Sequence, residues 1–443
     1  MALQPRLSVD GIELNKEFRN ALSIIEGSNK NLFLTGRAGV GKSTLLAYLR
    51  SITSKRIVIL APTGVAALNV GGQTIHSFCR FKPDITPETV ERLSNVSFAT
   101  MNMYKSLDAI VIDEISMVRA DLLDCLDRFM RLNGRNPDKR FGGVQMIFVG
   151  DLYQLPPVVA EGEREIFEGP YKSPYFFDSI AFDGLELEFV ELKSHYRQRD
   201  QKFIELLNAI RENTASEEDL ERINRRFDAS GGAAAAPYLY ITLTTTNSIA
   251  DRINNIYLEK IPARRYEYRA SITGKFKRSV YPADDLLCLK EGAQVMMLNN
   301  DSKKRWVNGS LGRIVSIGGE GIDGGIVVAL EGGAHESVAP HTWETSKLSY
   351  DSVRKKLVST NTGSFTQYPL MLAWAVTIHK SQGKTFDHVI IDVGEGTFAH
   401  GQLYVALSRC TTLEGIVLKR KLQMRHIITD PQIAEFHKTH FRE

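Results

Sequence analysis

The chain is poor in cysteine, in long apolar runs and in excess charge, and each shortage excludes a class of protein. Its four cysteines, Cys79, Cys125, Cys288 and Cys410, stand far apart among 443 residues and form no C-x-x-C pair. That spacing excludes a zinc ribbon and a dithiol redox motif, and it suits a reducing, cytoplasmic compartment. The longest strongly apolar run, LMLAWAVTI from Leu370 to Ile378, is less than half of the roughly 20 residues that cross a bilayer, so no membrane partner is expected. The first residues, MALQPRLSVDGIELNKEF, hold no apolar stretch ahead of a small-residue cleavage site, and no secretory signal is expected. Lys and Arg total 55 against 52 Asp and Glu, a net charge of +3. Attachment to nucleic acid through overall positive charge is thereby excluded, and any such surface must be local.

What is present is ordinary globular material. Hydrophobic residues make 43% and charged residues 24%, which excludes global disorder. The length allows roughly three domains. From Asn31 to Asp151 short apolar strands alternate with helical stretches: NLFLTG, STLLAYLR, RIVILAPT, AIVIDE and QMIFVGD. This alternation predicts an α/β fold with a parallel sheet and crossover helices. Between Phe81 and Thr100 two prolines and a polar tone mark an excursion from that sheet. From Asn299 to Tyr368 short alternating runs separated by Gly and Asn turns predict a small inserted β-barrel. The α/β texture returns at LMLAWAVTIHKSQG and HVIIDVG.

The segment GRAGVGKS, Gly36 to Ser43, matches G-x-x-x-x-G-K-[ST] between a strand and a helix. Gly36, Gly39 and Gly41 let the backbone curl so that its N–H groups face a triphosphate at the helix start. Lys42 is expected on the β- and γ-phosphates, and Ser43 on Mg²⁺. Ala38, Val40 and Thr44 complete the loop's nucleotide contacts. In AIVIDE a strand ends in two carboxylates, with Asp113 suited to the Mg²⁺ shell and Glu114 to orienting or deprotonating the attacking water. This strand and the loop strand are expected to be neighbours. In MIFVGDLYQLPPV, Asp151 and Gln154 end a third strand, and Gln154 is placed to sense a γ-phosphate.

The order of GRAGVGKST, VILAPTGVAALNVGGQTIHSF, IDEISMV, VGDLYQLPPV, HYRQ, VTIHKSQGKTFD and YVALSRC resembles the successive motifs of superfamily-one helicases. The stretch IDEISMVRADLLDCLDRFMR, Ile112 to Arg131, further resembles the signature segment of the Pif (petite integration frequency) helicases, relatives of the RecD-like enzymes. The resemblance implies two RecA-like lobes with ATP between them and single-stranded DNA lying across both. It divides the chain into lobe one (1–80 and 101–192), a wedge insertion (81–100), lobe two (193–298 and 369–443) and the β-barrel (299–368). It makes Arg197 and Arg409 arginine fingers, joins Gly383 to the nucleotide contacts, and makes Gln154 the γ-phosphate sensor. It assigns Thr63, Gly64, His76, Ser77, His379, Lys380 and Ser381 to the DNA backbone.

Phe78 is open to a core position or a base-stacking one. Trp306, beside Lys303, Lys304 and Arg305, is open to stacking on DNA or to covering the barrel. Gly383-Lys384-Thr385 resembles the end of a second phosphate loop, but Ile378 stands where its first glycine belongs, so one lobe alone should hydrolyse ATP. Phe18 stands where such helicases often carry an adenine-reading glutamine, which leaves base selectivity open. The implied partners are single-stranded and forked or structured DNA, met by a monomer moving 5′→3′, in settings such as DNA repair and telomere maintenance. The competing class is a phosphate-loop ATPase that remodels a protein partner. A GTPase is disfavoured because no N-K-x-D follows the loop.

Overall fold

The computed structural model describes residues 14–441 except 83, 94–97, 160–162, 164–165, 168, 195–196, 199, 229–238, 319–324, 352–355, 395 and 398. Helix α1 (Lys16–Gly27) is capped by Asn15, whose side chain accepts from the Phe18 N–H, and it buries Phe18, Ala21, Leu22 and Ile25 along one stripe. Strand β1 (Asn31–Gly36) follows and is buried on both faces, as its unbroken apolar run requires. Then come α2 (Lys42–Ile52), β2 (Ile57–Ala61), α3 (Gly64–Asn69), β3 (Gln73–Thr74), α4 (Ile75–Cys79), α5 (Phe98–Ser106), β4 (Ala109–Ile112), α6 (Ala120–Asn133), β5 (Gln145–Val149) and β6 (Leu187–Leu192). The six strands form one parallel sheet in the order β3-β2-β4-β5-β1-β6. Strand β5 therefore lies between β1 and β4. The loop strand and the AIVIDE strand are not neighbours, and Asp151 at the end of β5 falls between their two sites.

Helices α7 (Gln201–Arg211) and α8 (Glu217–Asn224), strand β7 (Ile241–Thr244) and helix α9 (Asn247–Lys260) begin the second half. Antiparallel pairing starts at β8 (Arg265–Arg269) and β9 (Ser271–Gly274) and continues through β10 (Leu286–Lys290) and β11 (Gln294–Met297). It extends over β12 (Leu311–Ile317), β13 (Ile326–Leu330), β14 (His335–Val338), β15 (His341–Asp351), β16 (Lys356–Gln367) and β17 (Leu370–Leu372). Among the described residues these pairings give a five-stranded sheet, β14-β13-β12-β11-β17, a long β15–β16 hairpin joined by β9, and the pair β10–β8. Strands β18 (Ala375–Thr377) and β19 (Val389–Asp392), helix α10 (Gln402–Leu407), strand β20 (Ile416–Leu418) and helix α11 (Pro431–His440) complete the chain. A second parallel sheet runs β18-β7-β19-β20.

Between residues 81 and 97 the described backbone holds one 3-10 turn, Pro87–Thr89, before α5 begins. Helix α5, which follows this excursion, packs against β15 of the long hairpin. The last helix does not stay with the second sheet. Ile433 and Phe436 of α11, with the adjoining Phe441, join the core of the first lobe, where Phe436 stacks on Phe177 at 4.6 Å and meets Phe33 at 6.0 Å. The Tyr175 hydroxyl donates to Asp430 at the helix N-cap at 2.9 Å. The end of the chain, grouped by order with lobe two, thus packs into lobe one.

Candidate active site

The phosphate loop keeps its shape because three glycines hold conformations closed to other residues. Gly39 and Gly41 have φ of 82° and 91°, and Gly36 has 153°. A Cβ on Gly39 would stand 2.5 Å from the Cβ of Arg197, so the missing side chain is what lets Arg197 close over the loop. The Lys42 amine donates to the Gly36 carbonyl at 2.6 Å and to the Arg37 carbonyl at 3.2 Å. Burial lowers its pKa, opposed by Asp151, Glu114 and Asp113. Asp113 and Glu114 follow β4 directly. Glu114 adopts a left-handed conformation, φ 51° and ψ 45°, a strained choice for a side-chain-bearing residue. Burial and then the neighbouring Glu114 push Asp113 up to about 7. Burial raises Glu114 too, against Lys42 and Arg409.

Both arginines reach this place from beyond the six-stranded sheet, Arg197 from the segment between β6 and α7 and Arg409 from just after α10. A cleft of about 750 Å³ is lined by Ala38 to Thr44, Glu114, Gln154, Arg197, Gly383 and Arg409, with Phe18 and Thr385. Arg197 donates to the carbonyls of Ser408 at 3.2 Å and Gly383 at 3.5 Å. Arg409 donates to the carbonyls of Val405 at 2.9 Å, Lys384 at 3.3 Å and Ser381 at 3.5 Å, and to the Ser408 hydroxyl at 2.8 Å. Burial and the nearby Arg197 lower Arg409 to about 9. A buried Arg409 and a half-buried Arg197, bonded to carbonyls in a cleft open to solvent, are short of negative charge that a triphosphate would supply.

Gln382 reaches across the cleft: its amide donates to Glu114 Oε2 at 3.0 Å and to Gln154 Oε1 at 3.2 Å. The Gln154 amide donates in turn to Asp151 at 3.3 Å. Behind the loop lies a buried seam between the halves. The Tyr404 hydroxyl accepts from the Ala38 N–H at 2.9 Å and donates to Asp151 at 3.4 Å. Arg211 donates to the same carboxylate at 3.0 Å and 3.3 Å and stacks over Tyr153 at 4.1 Å. Although burial works against it, Arg211 and Lys42 hold Asp151 below the usual carboxylate range.

A second cavity of about 910 Å³ shares Ser43, Glu114 and Gly383 with the cleft and is lined by Thr63, His379 and Lys380, together with Trp343 and Asn308. Gly64 and Ser77 instead open on a smaller cavity of about 320 Å³ at the sheet edge. There a Cβ on Gly64 would meet Val280 at 2.8 Å. His76 is half-buried and lies edge-on to Phe81 at 6.4 Å.

The DNA contact expected of Ser381 is corrected, as are the stacking alternatives left open for Phe78 and Trp306. Phe78 is buried, with its ring 5.2 Å from Tyr104, because α4 turns it into the lobe-one core. Trp306 is buried too, donating from its indole to Asn299 at 3.0 Å while Arg305 covers its ring at 4.3 Å. Ser381 is wholly buried and its hydroxyl donates to the Ile378 carbonyl at 2.7 Å. Neither ring nor the hydroxyl faces the cavity. Sequence reading missed Gln382, Tyr404 and Arg211. The first two stand inside quoted motifs, HKSQG and YVALSRC, and were within its reach. Arg211 and Trp343 carry no local signal.

Comparison with known proteins fits this geometry. A family model described as PIF1-like helicase matches residues 13–221, and one described as UvrD-like helicase C-terminal domain matches 372–417. The human ATP-dependent DNA helicase PIF1 is 34% identical over 93% of this chain, which spans 61% of that relative's length. The Bdellovibrio bacteriovorus ATP-dependent DNA helicase Pif1 is 30% identical over 98% of this chain and 93% of its own. Among solved structures, Bacteroides Pif1 in complex with ADP-AlF4 aligns with a TM-score of 0.88 and 37% identity over 97% of each chain. The same enzyme bound to single-stranded DNA aligns over 97% of each chain at 36% identity with a TM-score of 0.69. No described helix is long and apolar enough to cross a membrane. By its motifs, its two parallel sheets and these likenesses, the chain belongs to the PIF1-like helicase family.

Proposed function

We propose that this chain is an ATP-dependent DNA helicase that hydrolyses ATP in the 750 Å³ cleft and uses the cycle to move along single-stranded DNA in the 910 Å³ channel. One observation carries it: Arg197 and Arg409, from beyond lobe one, line the cleft of a single phosphate loop, as charge stabilisation of a transferring phosphoryl requires. When the triphosphate enters, the Lys42 amine exchanges the Gly36 and Arg37 carbonyls for phosphate oxygens. Arg197 and Arg409 exchange carbonyls for the γ-phosphate, and Gln154 reports its presence. Glu114 orients the attacking water and takes its proton.

Mg²⁺ fits the donor set. Asp113 and Glu114 are buried side by side and raised by that burial, so a cation there relieves them, and Ser43 stands at the same mouth. Among the described residues no cluster of three or more His, Cys, Asp or Glu is poised for a metal, so phosphates and waters would complete the shell held by Ser43 and Asp113. Bound there, Mg²⁺ neutralises charge on the β- and γ-phosphates.

Thr63, His379 and Lys380 hold the DNA backbone in the channel, and Gly64, His76 and Ser77 stand along the adjoining edge. The residues 81–100 act as the wedge and the antiparallel strands between 299 and 368 guide the strand, with motion 5′→3′ on single-stranded ends of forked or structured DNA. We read the motor as a monomer, since one chain carries the phosphate loop, Glu114 and both arginines that the cleft needs. The test is ATP hydrolysis with and without an oligonucleotide, in wild type and Glu114→Gln. Wild type should be strongly stimulated, and the variant should bind both ligands while turnover falls by about 10²–10⁴-fold. Turnover indifferent to the oligonucleotide would favour an ATPase acting on a protein partner.

A further inference from the structure

The Gly383-Lys384-Thr385 signature is not used in the phosphate cleft alone. Consecutive residues of this turn face opposite ways, with Thr385 on the nucleotide cleft, Lys384 on the channel and Gly383 on both. The Lys384 side chain is 8% exposed, and its ammonium donates to the neutral Asn308 Oδ1 at 2.5 Å. The Asn308 amide donates onward to Asn69 Oδ1 at 3.0 Å. Lys384 belongs to the second lobe, Asn308 to the turn between β11 and β12, and Asn69 to the end of α3 in the first lobe. All three line the channel, so this bridge ties three parts of the molecule together across it.

A buried ammonium facing amides is under-compensated, because an amide oxygen offsets only part of the desolvation that a full negative charge would offset. Burial alone draws its pKa down to about 8, and no neighbouring carboxylate acts to raise it. The same residue touches the hydrolytic machinery through its backbone, for its carbonyl accepts from Arg409 at 3.3 Å. A polyanion in the channel would supply the missing charge at the side chain while the finger leans on the main chain of the same residue.

We propose that Lys384 is a further phosphate ligand of the DNA channel, held in reserve by Asn308 and released to the strand when the Asn69–Asn308–Lys384 bridge parts. This rests on the DNA-motor reading above. A strand that threads between Asn69 and Lys384 must break the bridge, and the freed amine then meets backbone phosphate in a sequence-independent contact.

The experiment is fluorescence anisotropy of a labelled oligo(dT) titrated with the full chain at several NaCl concentrations, with stopped-flow association alongside. Wild type, Lys384→Met, Lys384→Arg and Asn308→Ala are compared. Loss of one single-strand phosphate contact should make the plot of log affinity against log salt shallower by about 0.7, hence about fivefold weaker binding near 0.1 M NaCl. That is the result expected for Lys384→Met, with the slope restored in Lys384→Arg. Asn308→Ala should keep the wild-type slope and associate faster. Wild-type slope and affinity in Lys384→Met overturn the ligand, and unchanged association in Asn308→Ala overturns the bridge, which stays testable even where Lys384→Met fails to fold. A wild-type chain that ignores oligo(dT) overturns the motor reading itself, a separate outcome.

Discussion

At Tyr404 a single hydroxyl serves both halves of the molecule, accepting from Ala38 in the phosphate loop and donating to Asp151. Tyr404→Phe leaves the buried Ala38 N–H unpaired, which costs roughly 1–3 kcal/mol. Thermal melting should fall accordingly, and KM for ATP should rise as the loop loosens. Asp108 allows a test against pH. Its carboxylate accepts from the Arg56 guanidinium at 2.7 Å and 2.8 Å. Against partial burial, those bonds hold its pKa below the ordinary value. The sign follows: the contribution is full above the unfolded carboxyl pKa of about 3.9 and is lost as pH falls through the lower folded value. Asp108→Asn should therefore melt below wild type at pH 7, with the gap closing in acid. At this scale Lys42, Asp113 and Glu114 were legible because fixed spacing and fixed chemistry coincide. Trp306 and Trp343 were not. KKRWVNG reads as a surface turn, yet Arg305 folds over the indole, whereas Trp343 reaches the channel from a stretch, HTWET, that matches no motif.

Among elements, the central strands β1, β2, β4, β5 and β19 of the two parallel sheets were readable since burial on both faces demands continuous apolar runs. The strands between Arg265 and Lys290 were not. Arg265–Arg269 buries one residue fully and Ser271–Gly274 buries none, so their pairing, the first with nearby β10 and the second with distant β16, follows from register alone. Helix α11 shows the same limit. Its sequence declares an apolar face, but whether that face meets the first lobe or the second is settled only by packing. Ile433 is wholly buried among lobe-one residues, a burial that contributes about 1.5–3 kcal/mol as an upper figure. Ile433→Ala should lower stability by roughly 2–5 kcal/mol, measured as a shift in the denaturant midpoint at unchanged slope. A shift of only a few tenths of a kcal/mol would contradict the docking of this helix.

For the molecule as a whole, the halves are tied at several places. Arg211 to Asp151, Tyr404 to Ala38 and His400 to the Leu152 carbonyl at 2.9 Å join them behind the phosphate loop, Gln382 to Glu114 and Asn308 to Asn69 join them across the cleft and channel, and α11 packs into the lobe-one core. Halves joined this way should unfold together, so calorimetry should give one transition whose calorimetric and van't Hoff enthalpies agree. Two resolved peaks would mean that the seam does not couple them. The two-lobe plan was legible in the order of the motifs; the seam was not, because its members lie up to 366 residues apart in the chain.

The seating of α11 also bears on how the polypeptide is made. Phe33 leaves the ribosome well before Phe436, some 400 positions later, whose ring meets its own. The first lobe cannot close until α11 has been made, and until then an apolar face on its sheet stays uncovered, open to chaperones or to wrong partners.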